Sequence, residues 1–137
     1  MKIEVSNGEI VDKYTIVNIK LKNCKEMTEK HLNLLQESAI LKEAVESLNI
    51  EQKLIDDLQE VNEKLWDIED RIRVLEDQKQ FGEEFVDLAR NVYMTNDKRF
   101  LLKRTINLAT QSMIKEEKIL PTYGKAKQDG SDNIFQP

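Results

Sequence analysis

The sequence predicts an all-α protein: an elongated antiparallel bundle of three to four long helices with a short N-terminal strand or arm. Three observations lead there. The 137 residues include only four Gly and two Pro, so few positions interrupt a helix. Charged residues make up 34% and hydrophobic residues 39%, the balance expected of helices with solvated outer faces. From Leu54 to Leu75 apolar residues return every third or fourth position, which lines one face of a helix. The length suits a single core, placed over residues 1–120, with an irregular tail over 121–137.

The elements follow in order. "MKIEV" alternates polar and apolar residues and is β-prone, hence the strand or arm. Ser6 and Glu9 match the S-x-x-E capping box, in which each side chain satisfies a free backbone N–H, so a helix is expected from about Asn7. Ile10, Tyr14, Val17, Leu21 and Cys24 form its stripe, widened by Ile16 and Ile19. A second helix is expected from after Thr28 to about Leu48, with Leu34, Ser38, Leu41, Val45 and Leu48 on one face and Leu35 and Ile40 beside them.

Asn49 is a suitable cap for the third helix. There Leu54, Leu58, Val61, Leu65, Ile68, Ile72 and Leu75 repeat over three unbroken heptads, the pattern of a coiled-coil-like seam. From Ile50 to Lys79 this helix would span ~45 Å, longer than a compact globule needs. A seam of that length, half covered, predicts a homo-oligomer. After "QKQFG" the next helix carries Phe81, Phe85, Leu88, Ala89 and Val92. Thr95, Asn96 and Asp97 are each good N-caps, so a break or kink is expected there. The helix would restart through Leu102, Ile106, Ala109 and Met113 and end before Pro121.

The net charge is −5, which argues against a general nucleic-acid binder, since phosphate contacts need a basic surface. The charge is uneven: residues 1–97 carry a net −9 and residues 98–137 a net +4. The basic part could dock onto the acidic part or onto an acidic partner. Cys24 and His31 are each the only residue of their type, so no intrachain disulfide forms and no Cys/His zinc site fits within one chain. With no apolar leader and no run near the ~20 residues that span a bilayer, a cytoplasmic protein without membrane contact is expected.

Several constellations could carry chemistry. Trp66 lies off the heptad stripe, on a side shared with Asn62, Glu63, Glu69, Asp70 and Arg73. Either a second apolar surface covers it, or it is the apolar platform of a recognition face, where Trp and Arg concentrate binding energy. Glu60 and Glu63, then Glu84 and Asp87 after twenty intervening residues, make two carboxylate pairs at i and i+3. On antiparallel helices such pairs could hold Mg²⁺, and the spacing is similar to that of all-α nucleoside triphosphate pyrophosphohydrolases of the MazG type. The plainer alternative is a solvated acidic face, and no metal site or cofactor is assigned. Arg90, Tyr93, Thr95, Asn96, Asp97, Arg99, Lys103, Arg104 and Asn107 form a third group. Its varied polar types suit a hydrogen-bond network, while Arg99 and Lys103, four apart, could hold a phosphate or carboxylate. Cys24 and His31 stand on either side of a turn with no third partner, so nucleophilic catalysis has little support.

Four ordered blocks, "VSNGEIVDKYTIVNIKL", "VNEKLWDIEDRIR", "FVDLARNVYMTNDKR" and "KRTINLATQSMIKEEK", resemble an uncharacterised bacterial and phage family labelled domain of unknown function 6165. The likeness covers roughly residues 1–118 and implies no reaction. It does imply that Asp12, Lys13, Lys20, Asn62, Trp66, Glu69, Asp70, Arg73, Arg90, Tyr93, Thr95, Asn96, Asp97, Arg99, Lys103 and Asn107 belong to the family pattern. Glu63 does not stand out in that pattern, which weakens the metal reading.

Two functions remain open on the sequence. One is a binding or assembly module, a homo-oligomer or the holder of a protein partner, using the surface around Trp66. The other is a small all-α enzyme or ligand-binding protein for an anionic metabolite, phosphorylated or not, with or without Mg²⁺. In either case the candidate residues are Asn62, Trp66, Glu69, Asp70, Arg73, Arg90, Tyr93, Asn96, Asp97, Arg99 and Lys103. Convergence of Lys20, Glu69, Arg73, Asn96 and Arg99 would make Trp66 the wall of one buried polar site.

Overall fold

A computed structural model describes residues 1–123, and most of the predicted tail, residues 124–137, lies outside the described residues. Four helices form an all-α bundle: α1 (Asn7–Asn23), α2 (Glu29–Leu48), α3 (Gln52–Asp77) and α4 (Glu83–Ala109). Among the described residues there is no strand; residues 1–6 precede α1 without regular structure. The alternation in "MKIEV" meets only helices, and a single strand with no neighbour leaves its backbone groups without a ladder.

The helix ends follow local chemistry. Ser6 caps α1, its hydroxyl accepting the Glu9 N–H at 3.0 Å. The Glu9 carboxylate turns away from the cap to receive Lys103 of α4 at 2.7 Å. Asn49, expected to start α3, instead closes α2 in the left-handed region at φ 53°, and Glu51 is the N-cap of α3. Asn tolerates that conformation better than most residues. Lys79 and Gln111 are also left-handed, at φ 57° and 54°. They let the Gln80 N–H reach the Leu75 carbonyl at 2.9 Å and the Ser112 N–H reach that of Asn107 at 2.8 Å, the 6→1 bond of a Schellman turn.

That second turn ends α4 earlier than periodicity suggested, leaving Met113 outside the helix and exposed. The expected break at Thr95–Asp97 does not occur either, and α4 runs unbroken through all three. An N-cap needs extended backbone and free N–H groups, which a helix held along its length by α3 does not offer. Thr95 and Asp97 point inward and are buried.

Helix α1 is the centre of the bundle. It packs against α2, α3 and α4, and α3 and α4 pack on each other. Being enclosed on several sides, α1 buries Val11, Asp12 and Thr15 as well as Val17 and Ile19, a wider face than its apolar stripe. The main core joins Val11, Val45, Leu58 and Ile106, one residue from each helix, with Ile10, Tyr14 and Leu102 packed around them. The α3 seam faces inward: Leu58, Leu65, Ile68 and Leu75 are buried, covered by α1 and α4, so this seam does not itself demand a second chain. At ~40 Å, the α3–α4 pair outruns the ~25 Å of α1. Its tip is held by a two-bond Arg71–Glu84 pair, with both N–H···O distances at 2.9 Å, and by an edge-to-face Phe81–Phe85 contact.

Gly8 marks the closest approach of α1 to α4. A Cβ there would lie 2.5 Å from the Lys103 carbonyl oxygen and 2.9 Å from Asn107 Oδ1. Backbone cannot yield as a flexible side chain can, so Gly8→Ala is expected to destabilise the fold by ~1–3 kcal/mol, despite the better helix propensity of Ala. Chemical denaturation followed by circular dichroism measures this; an unchanged or raised midpoint would contradict the close approach.

Candidate functional site

Two places in the bundle draw on the residues singled out in the sequence: a buried polar network among α1, α3 and α4, and a groove beside Trp66. The network starts at Asp12, whose side chain is 1% exposed. Gly8, Asp12, Thr15 and Ile19 recur at spacings of four, three and four, which places them on one face of α1. Small residues on that face let the neighbouring helices come close. A carboxylate on it must therefore find partners or carry a large desolvation cost.

Asp12 finds them on two helices. Arg99 of α4 donates Nε to Oδ1 at 2.9 Å and its terminal nitrogen to Oδ2, a two-bond pair matched to the carboxylate plane. Asn62 of α3 donates Nδ2 to Asp12 Oδ1 at 2.9 Å and to Thr15 Oγ1 at 2.8 Å. The Thr15 hydroxyl donates in turn to the Asp12 carbonyl at 2.8 Å. Lys103 lies 4.0 Å from Asp12 Oδ2 while bonding Glu9. The hydrogen bonds from Arg99 to Asp12 raise the guanidinium above its ordinary value, outweighing partial burial, with the charges of Asp12, Glu9 and Glu69 adding to the effect. Arg99 is thus a fixed cation here, neither a proton donor nor a base.

A second layer ties the start of α1 to the end of α4. Asn107 Oδ1 accepts the Gly8 N–H at 2.6 Å, and Asn107 Nδ2 donates to Glu116 at 3.3 Å. The Ser6 hydroxyl donates to the other Glu116 oxygen at 2.8 Å. Burial pushes the Glu116 carboxyl up, but the bonds from Ser6 and Asn107 and the charge of Lys103 outweigh it and lower it. Beyond Glu116 the chain continues along α4. Lys118 lies 3.5 Å from Asp97, and the Tyr123 hydroxyl donates to Asp97 Oδ2 at 2.7 Å. Tyr123 also stands edge-on to Tyr93, with ring centroids 5.6 Å apart.

The other sequence candidates make no hydrogen bond to this network among the described residues, although the charge of Glu69 reaches Arg99. Glu69, Asp70, Arg73, Arg90 and Tyr93 are exposed and Asn96 is half-buried. Among the described residues, the side chains of Lys20, Glu69, Asp70, Arg73, Arg90 and Asn96 make no hydrogen bond or ion pair. Lys20 and Trp66 instead share an open groove of about 790 Å³ with Cys24, Lys25, Lys30 and Leu34. Trp66 is half-buried in its wall. The two carboxylate pairs go separate ways: Glu63 faces Lys22 at 3.8 Å and Glu84 is held by Arg71. Among the described residues no three His, Cys, Asp or Glu side chains gather as metal ligands do, and no helix is long and apolar enough to cross a membrane.

The model of a family of unknown function, DUF6165, matches residues 1–135. The chain belongs to that family. No curated protein and no solved structure matches it. Asp12, Asn62, Arg99, Lys103 and Asn107, which the family resemblance singled out, are the residues of the network. Sequence reasoning did not foresee Glu9 and Thr15 in it, nor Glu116. Their spacing with Gly8 and Ile19 along one face of α1 was the available signal for Asp12 and Thr15. Glu116 carries none, because only the reversal after Asn107 brings it to Ser6.

Asp12→Ala strands the Arg99 guanidinium and the Asn62 amide in a closed interface, and is expected to cost ~3–5 kcal/mol of stability in urea denaturation. A loss below ~1 kcal/mol, the order of an exposed ion pair, would mean that the network is dispensable. Lost hydration and the hydrogen bond to Asp97 push the Tyr123 phenol up to about 12 from 10.0. A raised folded value means that this contact stabilises fully below about 10 and fades as pH climbs toward 12. Ultraviolet titration of the phenolates should show one late-titrating tyrosine, absent in Tyr123→Phe and shifted down in Asp97→Asn.

Proposed function

We propose that the protein is a binding and assembly module that associates with a second copy of itself through the outer face of α2. The observation that carries this reading is the uneven covering of that helix. α2 leans chiefly on α1, and Val45 is its only buried residue. Leu32, Leu35 and Ile40 remain 59%, 44% and 63% exposed. Residues 32, 35 and 39 follow the three-and-four spacing of a packing stripe, and Ile40 lies beside it. Such a stripe on a helix that supports no further layer is the usual mark of an interaction surface.

A second copy is the occupant that the charges favour. The same three-and-four spacing continues from Ala39 to Lys42 and Glu46, which pair with each other at 4.0 Å, so the stripe ends in one charge of each sign. A two-fold pairing therefore sets no block of one charge against another. In this reading Asn62, Asp97, Arg99 and Lys103 are framework residues that hold the bundle in register. Trp66, Glu69, Asp70, Arg73, Arg90, Tyr93 and Asn96 belong to surface left for partners. The closed, internally satisfied network supports binding over catalysis, because it offers no concave site with a poised acid or base.

Sedimentation velocity over a dilution series tests the assembly. The expected result is a reversible shift from dimer toward the single-chain mass of 16.0 kDa. Leu35→Glu should be monomeric throughout, with unchanged helicity by circular dichroism. A wild-type chain that remains monomeric up to its solubility limit would overturn the reading.

A further inference from the structure

The groove beside Trp66 is a different surface from the α2 stripe. Leu34 and Lys30 line it, and on a helical wheel they fall well round the helix from Leu32, Leu35 and Ala39. Its walls come from the end of α1, the α1–α2 connection, the first turns of α2 and the middle of α3. Because α2 leans on α1 rather than on α3, the space between them stays open. Trp66 and Leu34 supply the apolar wall. Lys20, Lys25 and Lys30 surround it, all three exposed and, among the described residues, in no ion pair. Glu26 is the single acid on the lining.

An overall acidic chain thus gathers three free cations around its only tryptophan. Cations lining one groove set up a positive potential there that favours an anionic partner. Helices flank the groove on both sides, so a further helix laid between them would pack ridges into grooves as helices do in a bundle. The geometry points to this groove as the docking site for an acidic amphipathic helix of a partner protein. Its apolar residues would lie against Trp66 and Leu34, and its carboxylates would meet Lys20, Lys25 and Lys30. The tryptophan supplies the buried anchor, and the lysines select the charge and the approach.

The test uses the full-length Leu35→Glu variant, so that self-association through α2 does not contribute. The probes are two tryptophan-free synthetic peptides with leucines at every third and fourth position, one filled with Glu and the other with Lys. Trp66, as the sole tryptophan, reports on the groove. A saturable blue shift of its emission is expected with the Glu peptide and none with the Lys peptide. Replacing Lys20, Lys25 and Lys30 together by Glu should weaken binding at least about tenfold, the sum of three modest ion pairs. Trp66→Ala should abolish the calorimetric signal while leaving the circular dichroism spectrum unchanged. No response to the Glu peptide by folded protein, or an equal response to both peptides, would overturn the inference. Should Leu35→Glu and wild type prove equally monomeric, the self-assembly reading fails, and the peptide titration still decides this one.

Discussion

The bundle depends on how α1 accommodates one carboxylate in its interior. Asp12 is closed off from water, and charge in that position is tolerable only if nearly every lone pair is met. Arg99 meets it from α4 and Asn62 meets it from α3. Those bonds require α1 to sit at one height and one rotation relative to both helices. An apolar core of Val, Leu and Ile tolerates small slips in register; a two-bond guanidinium–carboxylate pair does not. The hydrogen bond from the Gly8 N–H to Asn107, at 2.6 Å, repeats the constraint one turn away. Pairing therefore specifies the arrangement more than it adds to stability, since a well-packed apolar replacement for such a pair is often no less stable.

This division of labour accounts for the composition of the helices. α3 satisfies its neighbours with one regular stripe and can keep its outer face charged. α1, enclosed by three helices, has no outer face of comparable width, so polar side chains on it must be built into the interior. The network consumes Arg99, Lys103, Asn62 and Asn107 in doing so. Chemistry-bearing residues thus become structural ones, and surfaces free for partners lie elsewhere, on α2 and around Trp66. α2 is the helix with least inward obligation: Val45 joins the core, and most of its remaining apolar residues are only partly covered.

The placing of Trp66 among charged residues has a physical account in this arrangement. Leu65 and Ile68 beside it turn into the bundle and are buried, so the helical period turns Trp66 toward the flank of α1 and the start of α2. Because α2 does not close over it, the indole is neither core nor isolated surface but the wall of a groove. Its neighbours across that groove are Lys20, Lys25 and Lys30, not the acids and arginine next to it in sequence. Glu69, Asp70 and Arg73 share its helix and point to solvent.

Periodicity and local chemistry by themselves determined the helical class, the apolar stripe of α3, the Ser6 cap and the extent of α2, because these depend on side chains within a few residues of one another. They misjudged α4 at two points. Thr95–Asp97 reads as a break because Thr, Asn and Asp favour caps in isolation, and Met113 reads as helical because its spacing fits. Tertiary structure decided both: α3 holds the first segment helical, and the turn at Gln111 ends the second. Tertiary structure alone also decided which polar residues are framework. Asp12 and Arg99 are 87 positions apart, and no local pattern states that one will neutralise the other. Whether a charged side chain is solvated or buried depends on what the rest of the chain places opposite it, and a sequence period describes only one side of that contact.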